Sequence, residues 1–156
     1  MNTADVSRDD WILGGVALLL VIDLLFLPWF SVGGGSVGNI PIPSIDLTAT
    51  DAPSGWLGIL ALLALIALLA DLAIERFSPQ TALPNVGGSR TMTRFVLGIA
   101  AVVFLVLKFL FNIHFSDFGF GFWLAVILSV GLVYVLMQAR NAGTAVTRTP
   151  TGTPTV

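Results

Sequence analysis

The run Phe95–Phe115, FVLGIAAVVFLVLKFLFNIHF, decides how the chain is read. It is apolar enough to cross a membrane, yet it carries one cation, Lys108, well inside it. Every other Lys or Arg lies outside the apolar runs. A charge at the centre of a spanning helix costs roughly 2.5–3.5 kcal/mol on insertion scales. Lys108 therefore calls for a partner, and the search for one organises the rest of the chain.

Composition points the same way as the run. The chain has 156 residues, 56% hydrophobic and 10% charged, with a mean hydropathy of +0.94. Soluble domains carry about 25% charged residues. The length suits one compact membrane domain. A net charge of −2 and the lack of any basic stretch leave nucleic acid nothing to bind. There is no cysteine, which sets aside disulfides, thiol redox chemistry, thiolate metal sites and lipid anchoring on Cys.

Three further apolar runs accompany the first. Residues 11–30, WILGGVALLLVIDLLFLPWF, would span about 30 Å as a helix. The run is too long for a signal-peptide core, contains Asp23 and lacks a cleavage site after it, so it is read as a retained span. Residues 55–74 form the second span, 95–111 the third and 121–137 the fourth. Asp51 or Ser54 supplies the cap of the second, with Pro53 near its first turn. Residues 1–10 read as a polar arm, and 138–156, rich in Thr, Gly, Pro and Ala, as a disordered tail. The expected fold class is all-α: a four-helix transmembrane bundle with a long outer loop between the first two helices. Within that loop Ile40-Pro41-Ile42 and Ile45–Thr50 alternate in period 2, which fits a short hairpin with its prolines on an edge. An irregular cap over the helix ends is the other reading.

Charge sets the orientation. With four spans, Arg8, Arg76, Arg90, Arg94, Arg140 and Arg148 fall on one side, while 31–54 and 112–120 hold no Lys or Arg. By the positive-inside rule both termini are expected to be cytoplasmic. Trp29, Trp56 and Trp123 then sit at the outer interface, and Trp11 and Tyr134 near the inner one.

The candidate functional residues follow from this layout. Asp23 and Lys108 lie about 18 and 20 Å from the inner ends of their spans by helix rise. They are expected to form an ion pair, extended by Asn112 one turn beyond Lys108 into a polar column. That pair either fixes helix register, with Lys108 snorkelling outward, or marks an ion or proton path; in a third reading the two do not meet, and each finds water or lipid headgroups. Asp71 and Glu75 stand one turn apart, and Arg94 at the start of the next span is expected to neutralise them. Gly58, Ala61 and Ala64, in a track of small residues at every third position, and Gly121, Ala125 and Ser129, at every fourth, are expected helix-packing faces. His114 with Asp117 is too small a ligand set for a metal. Phe115, Phe118, Phe120, Phe122 and Trp123 read as an aromatic belt. No phosphate loop, metalloprotease motif or nucleophile with a base is present, so neither enzyme activity nor a cofactor is expected.

Leu27-Pro28-Trp29-Phe30 at the end of the first span, Ser54-Gly55-Trp56 at the start of the second and Gly121-Phe122-Trp123-Leu124 at the start of the fourth carry a family resemblance. Over residues 11–137 the chain resembles a diffuse group of small four-span bacterial membrane proteins, which implies a membrane location and no chemistry. It is similar to small multidrug exporters in helix count and in an acid in the first span. It departs from them in the long first loop, Lys108 and the tail. The expected function is a non-enzymatic protein in contact with the lipid bilayer that packs with itself or with a larger complex. A small oligomeric transporter or channel using Asp23 and Lys108 is the alternative.

Overall fold

The computed structural model describes residues 8–51, 54–78, 80, 89–113 and 118–146. Four helices and a hairpin follow in the order α1 (Arg8–Phe26), β1 (Phe30–Val37), β2 (Ile40–Leu47), α2 (Gly55–Phe77), α3 (Arg90–Phe111) and α4 (Phe120–Val146). The expected bundle and the hairpin are both present, and several boundaries move for local reasons.

α1 stops at Phe26 rather than running to residue 30. Pro28 has no N–H to continue the ladder, and it disfavours helical backbone at Leu27. α3 begins at Arg90, with the Ser89 hydroxyl accepting from the Met92 N–H at 3.1 Å. The N-cap position of α2 is Ser54, in left-handed backbone and with no side-chain cap bond. Asp51 instead closes the turn before it, accepting from both the N–H and the hydroxyl of Thr48 at 2.8 Å. α4 continues to Val146, so Gln138–Val146, expected in the disordered tail, is helical. Gln, Ala and Arg are good helix formers, and the first proline comes at residue 150.

Two adjoining loop residues, Gly38 and Asn39, join the strands. Gly38 has φ +63° at the first loop position, where a II′ hairpin turn needs positive φ. The antiparallel register runs from Phe30 opposite Leu47 to Val37 opposite Ile40.

The helices form a four-sided bundle. α1 packs on α2 and α4, and α3 packs on the same two, so α1 and α3 face each other across the diagonal. Core positions recur at helical spacing: Leu13, Ala17, Leu20 and Leu24 on α1, Leu57, Ala61, Leu65 and Leu68 on α2. The outer faces are apolar too. Leu18, Leu19, Ile66, Val103, Ile127 and Val130 are exposed, and continuous apolar surface of this kind marks contact with a membrane or partner.

α2, α3 and the Phe120–Asn141 part of α4 are long and apolar enough to cross a membrane. α1 differs because every 18-residue stretch of it contains Asp9, Asp10 and Asp23.

Candidate functional site

The site is built at the hairpin end of the bundle, from the last turns of α1 and α3. Asp23 lies three residues before the end of α1, and Lys108 three before the end of α3. Both side chains are fully buried. Their expected equal depth fits these positions, but both stand near the helix ends. The two side chains do not meet, and each finds its own partner. Asp23 Oδ2 accepts from the Trp29 indole at 3.1 Å. Lys108 Nζ donates to the Asp51 carbonyl at 3.3 Å and lies 5.6 Å from the centre of the Phe30 ring. Among the described residues no ion pair joins Asp23 to Lys108. Asp23 Oδ1 is buried and has no hydrogen-bond partner there.

Asn112 joins Lys108 through the backbone and not through its ammonium. The Asn112 amide donates to the Lys108 carbonyl at 2.7 Å, satisfying an orphan acceptor at the end of α3. Lys108 at a helix C-terminus also sits favourably in the negative end of the helix dipole. Asp51 lies outside the helices. Its carboxyl is held below the usual carboxylate range, first by the Thr48 N–H, then by the Thr48 hydroxyl, with the Lys108 charge contributing least.

Pro28–Phe30 forms the floor between these groups. The Gly119 N–H donates to the Trp29 carbonyl at 2.9 Å, and the Gly121 N–H to the Pro28 carbonyl at 3.0 Å. A Cβ at Gly121 would stand 2.8 Å from Leu27 Cβ, so glycine is what allows this approach. Trp29 meets Phe122 edge-on at 5.8 Å, and Phe122 stacks on Phe118 at 4.4 Å and on Phe109 at 5.2 Å. Trp29, expected in an interfacial belt, is 2% exposed and holds Asp23; Trp56 and Trp123 are exposed. Sequence reading missed this role because an indole beside a proline carries no sign of its direction. Pro28, which ends α1 just before it, was the available signal.

The expected packing faces are used within the chain. Gly58 and Ala61 are buried, and a Cβ on Gly58 would overlap the Ala49 carbonyl oxygen. Ala64 is partly buried against the core. Gly121 is buried against Leu27, Pro28 and Trp29, while Ala125, buried, and Ser129, partly buried, face the cleft between α3 and α4. These small residues admit the molecule's own loop backbone and neighbouring helices.

At the opposite end Arg94 is brought to Asp71 and Glu75, with Asp10 of α1 added. Arg94 Nε bonds Asp71 Oδ2 at 2.6 Å, its Nη2 bonds Glu75, and its Nη1 bonds Asp10 at 3.2 Å. Arg90 approaches Glu75 at 3.9 Å. Arg76 lies over the Trp11 ring and Arg140 over Phe95. His114 and Asp117 lie outside the described residues, and among the described residues no group of three potential ligands could hold a metal.

The chain matches no protein-family model and no curated protein. By the length and composition of its helices it is a multi-span membrane protein.

Proposed function

We propose that the chain is a non-enzymatic, four-span protein of a bacterial inner membrane, with both termini cytoplasmic, that packs with itself or with a larger membrane complex. The observation carrying this reading is the hairpin. It projects from the bundle with Val37 69%, Ile40 72% and Ile45 65% exposed. A lone two-stranded hairpin is marginal in water, so these aliphatic side chains call for a covering surface. The buried small-residue faces do not supply one, which moves the expected contact from the helices to the hairpin. The orientation is supported by Arg76, Arg90, Arg94 and Arg140 at one end, against no Lys or Arg in 31–54. A reporter fused after Val156 should read as cytoplasmic.

Pro41 cannot donate to the ladder, so its opposite residue Ser36 turns its own N–H outward along the free edge of β1. Ser36→Pro removes that donor while leaving the β1–β2 ladder intact. The natural chain should migrate above monomer mass in mild extracts of its membrane, and Ser36→Pro should lower that mass. A natural chain that migrates as a monomer overturns the reading.

Asp23 Oδ1, buried without a partner, favours a second reading in which Asp23 and Lys108 serve a proton or ion path. Proton flux in liposomes that Asp23→Asn abolishes would establish it; equal flux with and without the protein would sink it.

A further inference from the structure

We propose that the cleft between α3 and α4 seats one hydrocarbon chain of a membrane phospholipid, in the leaflet on the hairpin side; this rests on the membrane reading above. The cleft has a volume of about 670 Å³ and reaches from Trp29 at its deep end along Phe109, Phe122, Ala125, Val126 and Ser129. That volume is within the range of small-ligand sites, about 300–1,000 Å³. Its walls offer almost nothing to a polar guest. Ser129, Trp29 and Trp123 hold the only polar side-chain atoms among the lining residues, and the Trp29 N–H is already given to Asp23.

Size selects the occupant. An α-helix is about 10 Å across with its side chains, so about 670 Å³ would take only about 8 Å of it, under two turns. A flexible chain one carbon thick fills such a slot along its length. Both walls are helices apolar enough to span the membrane, so the cleft opens where lipid chains are the surrounding medium. No Lys or Arg lies in 31–54 or 112–120, and Lys108 at this end is fully buried, so it presents no cation to an anionic headgroup. The chain itself is what is bound.

Trp29 is the reporter, because it is 2% exposed yet lines the cleft. A chain retaining only Trp29 (Trp11→Phe, Trp56→Phe, Trp123→Phe) is placed in bilayers of phosphatidylcholine with dibrominated acyl chains, whose bromines quench indole on contact. A second chain retaining only Trp56, exposed on α2 and outside the cleft, reports insertion. Both indoles should lose emission. Ser129→Phe, which fills the cleft, should restore Trp29 and leave Trp56 quenched. Val126→Phe, from the exposed rim, repeats the test should Ser129→Phe fail to fold. Trp56 quenched with Trp29 bright, or Trp29 quenching that neither filling variant relieves, overturns the proposal. Trp56 left bright overturns the membrane reading itself.

Discussion

The two ends of the bundle treat charge in opposite ways. At the arginine end, one guanidinium meets three carboxylates drawn from α1 and α2, and Glu75 and Asp10 remain partly exposed. At the hairpin end, an acid and a cation are buried in the same core, and neutral dipoles hold each: an indole N–H for Asp23 and a peptide carbonyl for Lys108. At the arginine end, Arg94 of α3 reaches carboxylates on the adjacent α2 and also Asp10 on the diagonal α1, where the network is partly exposed to water. At the hairpin end, where the two charges are fully buried and do not meet, the connecting segments supply the polar atoms. The hairpin end is therefore held by neutral dipoles on its own connecting segments, the Trp29 indole and the Asp51 carbonyl, and the arginine end by ion pairs between helix side chains.

That contrast can be broken or sharpened by substitution. The largest effect should come from Gly58→Leu, because any side chain there collides with the Ala49 carbonyl. Overpacking of this kind should cost about 3 kcal/mol, read as a drop in thermal stability in nanodiscs. Stability unchanged would mean that the 48–51 segment does not lean on α2.

Next come Trp29→Phe and Arg94→Gln, compared at low and high salt. Trp29→Phe leaves the buried Asp23 carboxyl without its donor and should cost about 2 kcal/mol at either salt concentration. Arg94→Gln should cost about 1 kcal/mol, shrinking as salt rises, because that network is partly exposed. Equal salt dependence in the two variants would erase the distinction between the ends.

A smaller effect tests the diagonal directly. In a double-mutant cycle of Asp23→Asn and Lys108→Met, the two costs should add to within about 0.5 kcal/mol, as for residues sharing no partner. A larger coupling would mean that the charges meet after all.

The smallest effect concerns the turn before α2. The Asp51 carboxyl is held below its ordinary range, so its contribution is fully present above the unfolded value of about 3.9. It is lost only as pH falls through the lowered folded value. Protection of the Thr48 amide from hydrogen exchange, relative to its intrinsic rate at each pH, should therefore hold through the usual carboxylate range and be lost below it. Loss of protection already near pH 5 would contradict the bonding seen here.

Much of the fold could be read in advance, and the reasons differ by element. α2, α3 and α4 are long apolar runs, and a period-2 pattern over Ile40–Ile42 and Ile45–Thr50 fitted a hairpin, although it marked only its second strand. The grouping of Arg94 with Asp71 and Glu75 followed from helix spacing and chain direction alone. The Asp23–Lys108 contact did not follow, because residue spacing fixes depth along a helix and not which helices adjoin. The packing role of Gly58 and Gly121 was visible as small size, but small size does not say whether a neighbouring helix, another molecule or the chain's own loop will come close. The Trp29 bond to Asp23 depends on where Pro28 turns the backbone, a direction that no side-chain pattern records.

The prolines of β2 have a consequence for stoichiometry. Pro41 and Pro43 deprive the outer edge of β2 of two N–H donors, so an added strand finds a broken ladder there. β1 presents glycines and Ser36 along its own edge, and at its base it already takes Phe118 beside Phe30. A ribbon that can be extended on one side only can close into a pair by matching like edge to like edge. Such a pairing would not propagate, since a fibre needs two receptive edges on every molecule.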